Sequence, residues 1–424
     1  MGIRGPVDPQ KSRTLAPVAA LSGIRVVDFT QNLPGPYATM VLRSMGAQVV
    51  KVEPPRGDPA RVFPRLFEIL NAGKESVVAD LRESEAREAV RRLVADADVV
   101  VEGFRPGVME RFGLGPRDLR EAYPRVVYCS ISGFGQDGPY RDQPGHDLNF
   151  QALTGVCHML RDDRERPLGG ALPFGDLSAA MTAVTAILGA LLERTSTGQG
   201  QVLDVAIVDA LLSWTYVWSE GLTPGDATLA DAAEPTAAAL RRAGEALPGG
   251  LGSIVGKLAN SLERGRGRAT LEKVSDTLRS TKRVKSLERL RLHTLPHYTV
   301  YRTSDDRYLS IGVVDEDKFW RKACEVLDLG GAGGLPLWGR FLAAAPLRKR
   351  IAAKIREAPL AQWVELFRDA GVPVAPVLTV EEALEDVQLR TRRPAQGHVR
   401  GPWSVGEVIE GDAPRLGEHT ERWI

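Results

Sequence analysis

Ile24-Arg25-Val26-Val27-Asp28-Phe29 is a short β-branched run, and Ala47-Gln48-Val49-Val50-Lys51-Val52 is another. Asn32-Leu33-Pro34-Gly35-Pro36 ends the first, a helical pattern covers about 37–44, and Gly46 closes that helix. Glu53-Pro54-Pro55 stops the second run. Strand, helix and strand in so short a span is the pattern of a parallel βαβ unit. The pattern recurs downstream. Strands are expected at 76–79, 98–102 and 126–132, with helices at 83–95 and 116–123 between them. A long apolar helix is expected at 177–194, hydrophobic enough to be placed centrally. Alternation of this kind predicts a doubly wound α/β domain, its parallel sheet covered by helices on both faces.

The chain has 424 residues, 55 Lys and Arg against 54 Asp and Glu, and a net charge of +1. That length suggests two or three domains, and the balanced charge excludes a whole-chain polyanion binder. With 43% hydrophobic residues, general disorder is excluded as well. Three widely spaced cysteines, Cys129, Cys157 and Cys324, fit a reducing compartment, so a cytoplasmic location is expected. No apolar run is long enough to predict a membrane span. Residues 1–20 read as a disordered leader. Beyond about 220 the composition shifts: 223–250 is rich in Ala, Gly and Pro, and 253–292 holds 11 Lys and Arg against 4 Asp and Glu. That basic stretch reads as a solvated insertion, with nucleic acid not expected as a partner. A second ordered segment starts at His297-Tyr298-Thr299-Val300-Tyr301, turns at Ser304-Asp305-Asp306 and returns at 308–312. Helices at 316–327, 344–357 and 360–370 complete a smaller α/β domain, and 371–377 reads as a linker or a strand.

Loops after strands are where a parallel sheet holds ligands. Asn71-Ala72-Gly73-Lys74, Gly103-Phe104-Arg105-Pro106-Gly107 and Gly133-Phe134-Gly135 occupy such places. None is a GxGxxG or a GxxxxGK[ST], so neither a dinucleotide fingerprint nor a P-loop is present. Tight turns explain each glycine taken alone. Lys74, Arg105 and Arg111 beside these loops favour an anionic, phosphate-bearing ligand. Gly145-His146-Asp147 places an imidazole next to a carboxylate, although a lone histidine is more often structural. Gly175-Asp176 opens the apolar helix, where Asp176 is either an N-cap or a reactive carboxylate. His293 and His297 have no third ligand nearby, so no metal is expected. A GxSxG elbow is absent.

Taken together, these segments resemble the class III CoA-transferase family, which also contains the α-methylacyl-CoA racemases. Its carriers are Leu21 to Phe29, Pro34-Gly35-Pro36, Gly46-Ala47, Val50-Lys51-Val52-Glu53, and Val101-Glu102-Gly103-Phe104-Arg105-Pro106-Gly107. Further carriers are Ser132-Gly133-Phe134-Gly135, Gly175-Asp176, Thr197-Gly198-Gln199-Gly200-Gln201 and Leu416-Gly417-Glu418-His419-Thr420. The resemblance implies a large Rossmann-like CoA-binding domain, with a parallel sheet built from the N-terminal half plus the C-terminal tail. On this chain that assigns 21–200 to its first part, 201–225 to a linker helix and 226–372 to a small inserted domain. Residues 373–424 then return to the large domain. It also implies an interlocked homodimer and an acyl-CoA substrate, with no other cofactor and no membrane.

The resemblance further assigns Arg56, Asn71, Lys74, Gly103, Phe104, Arg105, Arg111, Gly133, Phe134 and Gly135 to CoA. Arg56 stands in for an arginine that Pro54 replaces. Two chemistries follow for Asp176. In the transferases this aspartate is the nucleophile that forms an aspartyl-CoA thioester. In the racemases it is an acid/base facing the histidine of a Gly-His-Asp-Xaa-Asn motif, matched here by Gly145-His146-Asp147-Leu148-Asn149. Glu316, with Asp315 beside it, matches the small-domain carboxylate that supports the histidine from the other chain. Leu177-Ser178-Ala179-Ala180 departs from the racemases, which have glycines there, and Leu33 departs from the transferases, which usually carry glutamine. Racemase-like 1,1-proton transfer is favoured over CoA transfer. A non-catalytic binding protein using the basic insertion is a third reading, which the presence of both His146 and Asp176 opposes.

Overall fold

The computed structural model describes residues 20–160, 162, 166–221, 295–314, 316–335, 337–391 and 411–424. The leader, the basic stretch 253–292 and Asp315 therefore lie outside the described residues. The chain divides into two compact units, Met1–Glu220 with Arg390–Ile424, and Gly221–Leu389.

The first unit is built on six parallel strands in the order β3-β2-β1-β4-β5-β6. They are β1 (Arg25–Asp28), β2 (Gln48–Glu53), β3 (Glu75–Val78), β4 (Val99–Glu102), β5 (Val127–Ser132) and β6 (Val202–Ala206). The sheet reverses its winding direction between β1 and β4, the crevice where doubly wound sheets take ligands. Valine dominates because both faces are covered. Side chains alternate across the sheet: Val26, Val49, Val99, Val101 and Val127 enter one core, while Val27, Val50, Val100 and Tyr128 enter the other.

Helices α1 (Pro34–Ser44), α2 (Pro64–Asn71) and α3 (Ser84–Ala95) follow β1, β2 and β3 in turn, and α4 (Val108–Arg111) and α5 (Pro116–Ala122) both follow β4. Prolines at the starts of α1, α2 and α5 preset the backbone where an N–H would have no partner. After β5 come α6 (Asp147–Leu153), α7 (Val156–Met159) and α8 (Phe174–Thr197). The apolar helix is longer than expected and is not wholly interior. Ala179, Ala180, Ala183, Val184 and Ile187 are buried in the core shared with α1, while Leu192 is 72% exposed. Small residues on the buried face let the two helices approach closely. The 201–225 stretch, expected to be a linker helix, opens with strand β6 before α9 (Ile207–Gly221). β6 escaped the sequence reading because three of its five side chains are not buried, which weakens the apolar signal.

The C-terminal tail adds no strand among the described residues; it docks on the exposed edge of β3. Gly417 N donates to Ser76 Oγ at 3.0 Å, Val78 N donates to Thr420 Oγ1 at 3.0 Å, and Trp423 Nε1 donates to Glu75 Oε2 at 2.6 Å. The Leu416–Thr420 motif thus covers an edge that would otherwise be open for pairing.

The second unit has an antiparallel sheet, β7 (Tyr298–Arg302), β8 (Tyr308–Gly312) and β9 (Val374–Pro376), in that order. β9 settles the 371–377 segment as a strand paired with β8. Helices α10 (Asp317–Val326), α11 (Leu337–Leu342), α12 (Ala344–Ile355) and α13 (Leu360–Asp369) surround a core that includes Trp320, Ile351 and Phe367.

Beneath the carboxyl ends of β1 and β2 lies a buried ionic network. Lys74 Nζ donates to Thr39 Oγ1 (2.8 Å), Asn71 Oδ1 (2.9 Å) and the Pro36 carbonyl (3.0 Å), and pairs with Asp28 Oδ2 at 3.3 Å. Lys51 pairs with Asp58 at 2.9 Å, both side chains fully buried. Burial alone would raise the Asp28 carboxyl, but Lys74, Lys51 and two threonine hydroxyls outweigh it and hold the group below its ordinary value. Removing one member strands the others without water. Lys74→Met is therefore expected to cost about 3–5 kcal/mol, read from the urea midpoint. Arg65→Met, which breaks an exposed pair with Glu68, should cost under about 1 kcal/mol. Equal midpoints for the two variants would contradict this assignment.

Candidate active site

The site is built where α6 meets the start of α8. Asp147 is the first residue of α6 and Asp176 the third of α8. Asp147 Oδ1 accepts from Gly175 N at 2.8 Å and from Asp176 N at 3.1 Å. These are N–H groups of a helix's first turn, which have no partner within the helix. The sequence reading allowed Asp176 to be the N-cap of this helix. The structure corrects that: the capping carboxylate comes from Asp147 on another helix, and Asp176 is the third residue of α8, within its first turn. Gly175 is required by the close approach, since a Cβ there would lie 2.9 Å from Asp147 Oδ1.

The electrostatic consequence falls on Asp176. Its carboxyl is largely buried and stands beside a second negative charge, while the nearest backbone donors are already committed to Asp147. Burial, with Asp147's charge adding in the same direction, pushes Asp176 up to about 7. Those same N–H groups are consequently not free to hold a developing enolate oxygen, a role the sequence would have allowed them.

His146 immediately precedes α6 and is exposed. Its backbone N–H donates to Asn149 Oδ1 at 3.0 Å, which explains the asparagine of the motif as a local brace for the histidine backbone. Asp147 does not hold the imidazole; its oxygens accept from Gly175, Asp176 and Gln151 instead. Adjacent residues point apart at a helix start. The loop after β5 packs on this helix: Phe134 meets Phe150 edge to face, ring centroids 5.3 Å apart, and a Cβ at Gly133 would lie 2.7 Å from the Phe150 ring. Gly135 N donates to Ser132 Oγ at 3.1 Å. Gly133, Phe134 and Gly135 are thus joined to the His146–Asp176 neighbourhood.

The other expected ligand residues separate into two groups. Arg56, Gly103, Arg105 and Arg111 are exposed, and Phe104 is half-buried. Phe104 also lines a cavity of about 270 Å³ with Phe29, Pro54, Pro55, Leu81 and Arg82. This cavity lies at the carboxyl ends of β1 to β4, including the crevice where the sheet changes direction. Lys74 and Asn71 do not join them. Both are buried in the ionic network, their polar groups directed inward, so in this structure they brace the scaffold and present nothing to a ligand. The segment Asn71-Ala72-Gly73-Lys74, expected to follow a strand, instead joins α2 to the start of β3, and the Lys74 side chain turns into the buried network.

Three contributors escaped the sequence reading. Arg82, in the loop after β3, lies among the cavity's lining residues. Its position just past a strand was the available signal. Glu102, at the end of β4, accepts from Phe104 N at 2.8 Å and bonds Ser130; burial pushes it up to about 7. Gln151 bridges Asp147 to the Leu172 carbonyl. Glu316 lies in the second unit, directly before α10, where its Oε2 accepts from Val314 N at 3.1 Å. Among the described residues no cluster of His, Cys, Asp and Glu has metal-holding geometry. His297 is buried in the second unit, its Nε2 3.0 Å from the Val314 carbonyl.

Comparison with known proteins places the chain in a family. The family model described as CoA-transferase family III matches residues 21–243 and 258–420. Human alpha-methylacyl-CoA racemase is 30% identical over 370 residues, covering 86% of this chain and 79% of the relative. Succinyl-CoA:mesaconate CoA-transferase from Haloarcula hispanica is 42% identical over 212 residues, 46% of this chain and 54% of the relative. Among solved structures, a CaiB/BaiF family protein from Brucella suis superposes with a TM-score of 0.70 at 25% identity, covering 95% of this chain and 97% of that one. With the model matching both sides of the chain and a relative sharing most of its length, the chain belongs to CoA-transferase family III.

Proposed function

We propose that this chain exchanges the α-proton of a 2-methyl-branched acyl-CoA, interconverting its two epimers. The observation that carries the reading is the Asp147 carboxylate on the N–H groups of Gly175 and Asp176. It leaves Asp176 able to hold a proton near neutral pH. Inverting a stereocentre by proton exchange needs one base and one acid on opposite faces of a planar enolate. A carboxyl poised near 7 and an imidazole, whose ordinary range is close to neutrality, can trade those roles in either direction. The match to a racemase over most of the chain supports the same chemistry.

The nucleotide end of CoA is placed in the cavity at the sheet's carboxyl edge. Pro54, Leu81 and Phe104 offer apolar walls there, Arg82 lines the cavity paired with Asp80 at 2.6 Å, and Arg56 and Arg105 are exposed cations. A homodimer in the cytoplasm is the proposed working form, and Glu316 of the partner subunit is the proposed support for the His146 imidazole.

CoA transfer is the second reading, favoured by the 42% identity to a transferase over 212 residues. There the ionised Asp176 attacks the thioester carbonyl and expels CoA thiolate, giving a mixed anhydride. The thiolate then attacks the aspartyl carbonyl of the anhydride, expelling the first acid as its carboxylate and leaving an aspartyl-CoA thioester. A second carboxylate attacks that thioester, and the returning thiolate takes the new acyl group and frees Asp176. A carboxyl raised to about 7 is half protonated at neutral pH, which suits proton exchange better than attack.

Incubation with a 2-methylacyl-CoA in heavy water should wash deuterium into the α-position. Asp176→Ala and His146→Ala should each lower that exchange by at least about a hundredfold. Acyl-group exchange onto a free acid without α-deuteration, surviving His146→Ala, would replace this reading with CoA transfer. Stability gives an independent check. A carboxyl raised on folding costs nothing below its unfolded value near 4, and its cost grows as pH rises toward 7. Asp176→Asn should therefore raise the melting temperature at pH 8 while leaving it nearly unchanged at pH 4. A variant equally stabilised or destabilised at both would contradict the raised carboxyl.

A further inference from the structure

Gln151 lies one helical turn after Asp147 on α6 and is 1% exposed. Its Nε2 donates to Asp147 Oδ2 and, at 3.0 Å, to the Leu172 carbonyl. Two acceptors on one side of the amide settle which end is nitrogen. Among the described residues Oε1 is consequently left buried without a hydrogen-bond partner. It faces Gly170, where a Cβ would come within 2.5 Å. An unpaired buried amide oxygen is unfavourable. The arrangement keeps it because the nitrogen is committed to two acceptors that matter for the site.

The chain entering α8 is thus held against α6 at two points. Gln151 takes the Leu172 carbonyl, and Asp147 takes the Gly175 and Asp176 N–H groups. From this geometry we infer that Gln151 is a positioning residue for the proton transfer. By tying the Asp147 carboxylate to the Leu172 carbonyl, it keeps Asp147 on the first turn of α8 and so governs the protonation of Asp176. The inference rests on the proposed α-proton exchange and deepens it.

Its consequences differ in sign for two substitutions. In Gln151→Leu the Asp147 carboxylate loses one of its three donors, the one on Oδ2, and its hold on the first turn of α8 loosens. The freed N–H groups then stabilise ionised Asp176, which should titrate at lower pH. In Gln151→Glu a third carboxylate stands beside Asp147, which should drive Asp176 to higher pH. Among the described residues Asp147 is the charged group acting on Asp176. α6 brings Asp147, with His146 just before it, and α9 lays Ile207 and Leu211 on Gly175 while carrying Asp209.

The test is the pH dependence of α-deuterium exchange on a 2-methylacyl-CoA, measured for the full-length wild type and both variants. A ¹³C titration of the Asp176 carboxyl on the same proteins runs beside it. The expected result is a fall in kcat of about tenfold or more with KM little changed. The Asp176 limb should move toward acid in Gln151→Leu and toward alkali in Gln151→Glu. A merely loosened fold would not move it in opposite directions. If the leucine variant does not fold, the glutamate variant decides: an alkaline shift supports the inference and an unmoved titration overturns it. Movement of both variants in the same direction also overturns it. Absence of exchange in the wild type would defeat the proposed reaction, while the carboxyl titration would still decide the role of Gln151.

Discussion

A carboxylate on one helix occupying the first-turn donors of another is the constraint on which this site depends. Helix starts ordinarily favour the ionised form of nearby acids, through their unpaired N–H groups and the positive end of the dipole. Asp147 takes that advantage for itself at Gly175 and Asp176. Asp176 is left beside an anion, largely out of water, and retains its proton over a range where most aspartates have lost theirs. One geometric arrangement thus both fixes the position of the Asp176 carboxyl and prepares its protonation state.

The sheet supplies the frame for this. Parallel order brings the carboxyl ends of β1 to β5 to one edge, and the loops leaving them hold the cavity near Phe104 and the Phe134–Phe150 packing under α6. The ionic network around Lys51, Lys74, Asp28 and Asp58 braces the same edge from within. Buried ion pairs of this kind add little net stability over apolar packing, but they tolerate the loss of one partner poorly. The loops that carry ligand chemistry therefore leave from strands whose ends are held at fixed positions.

Much of this frame could be read from the amino-acid sequence, for identifiable reasons. Val26-Val27 and Val49-Val50 declare buried strands because both faces of the sheet are covered, and Gly46 marks the end of α1 without ambiguity. Asp176 and His146 are named by a motif. The tie between Asp147 and Asp176 was not legible, because it runs through two hydrogen bonds from the start of α8 to Asp147, 28 and 29 positions apart in sequence. Lys74 was misread for the complementary reason. A lysine beside a glycine turn looks the same in sequence whether it meets a phosphate or an internal aspartate; this one lies between α2 and β3 with its side chain buried. β6 and Gln151 carried signals too weak to read: a half-exposed strand, and a glutamine on a seven-residue helix that no periodicity announces.

The central claim is that Asp147 controls the proton on Asp176, and the most direct measurement is a ¹³C titration of the Asp176 carboxyl in the wild type and in Asp147→Asn. The asparagine keeps an acceptor for the two N–H groups and removes the charge. The account predicts a midpoint near 7 in the wild type and a clearly lower one in the variant. A wild-type midpoint in the ordinary aspartate range, or one that does not move when the charge is removed, would contradict it.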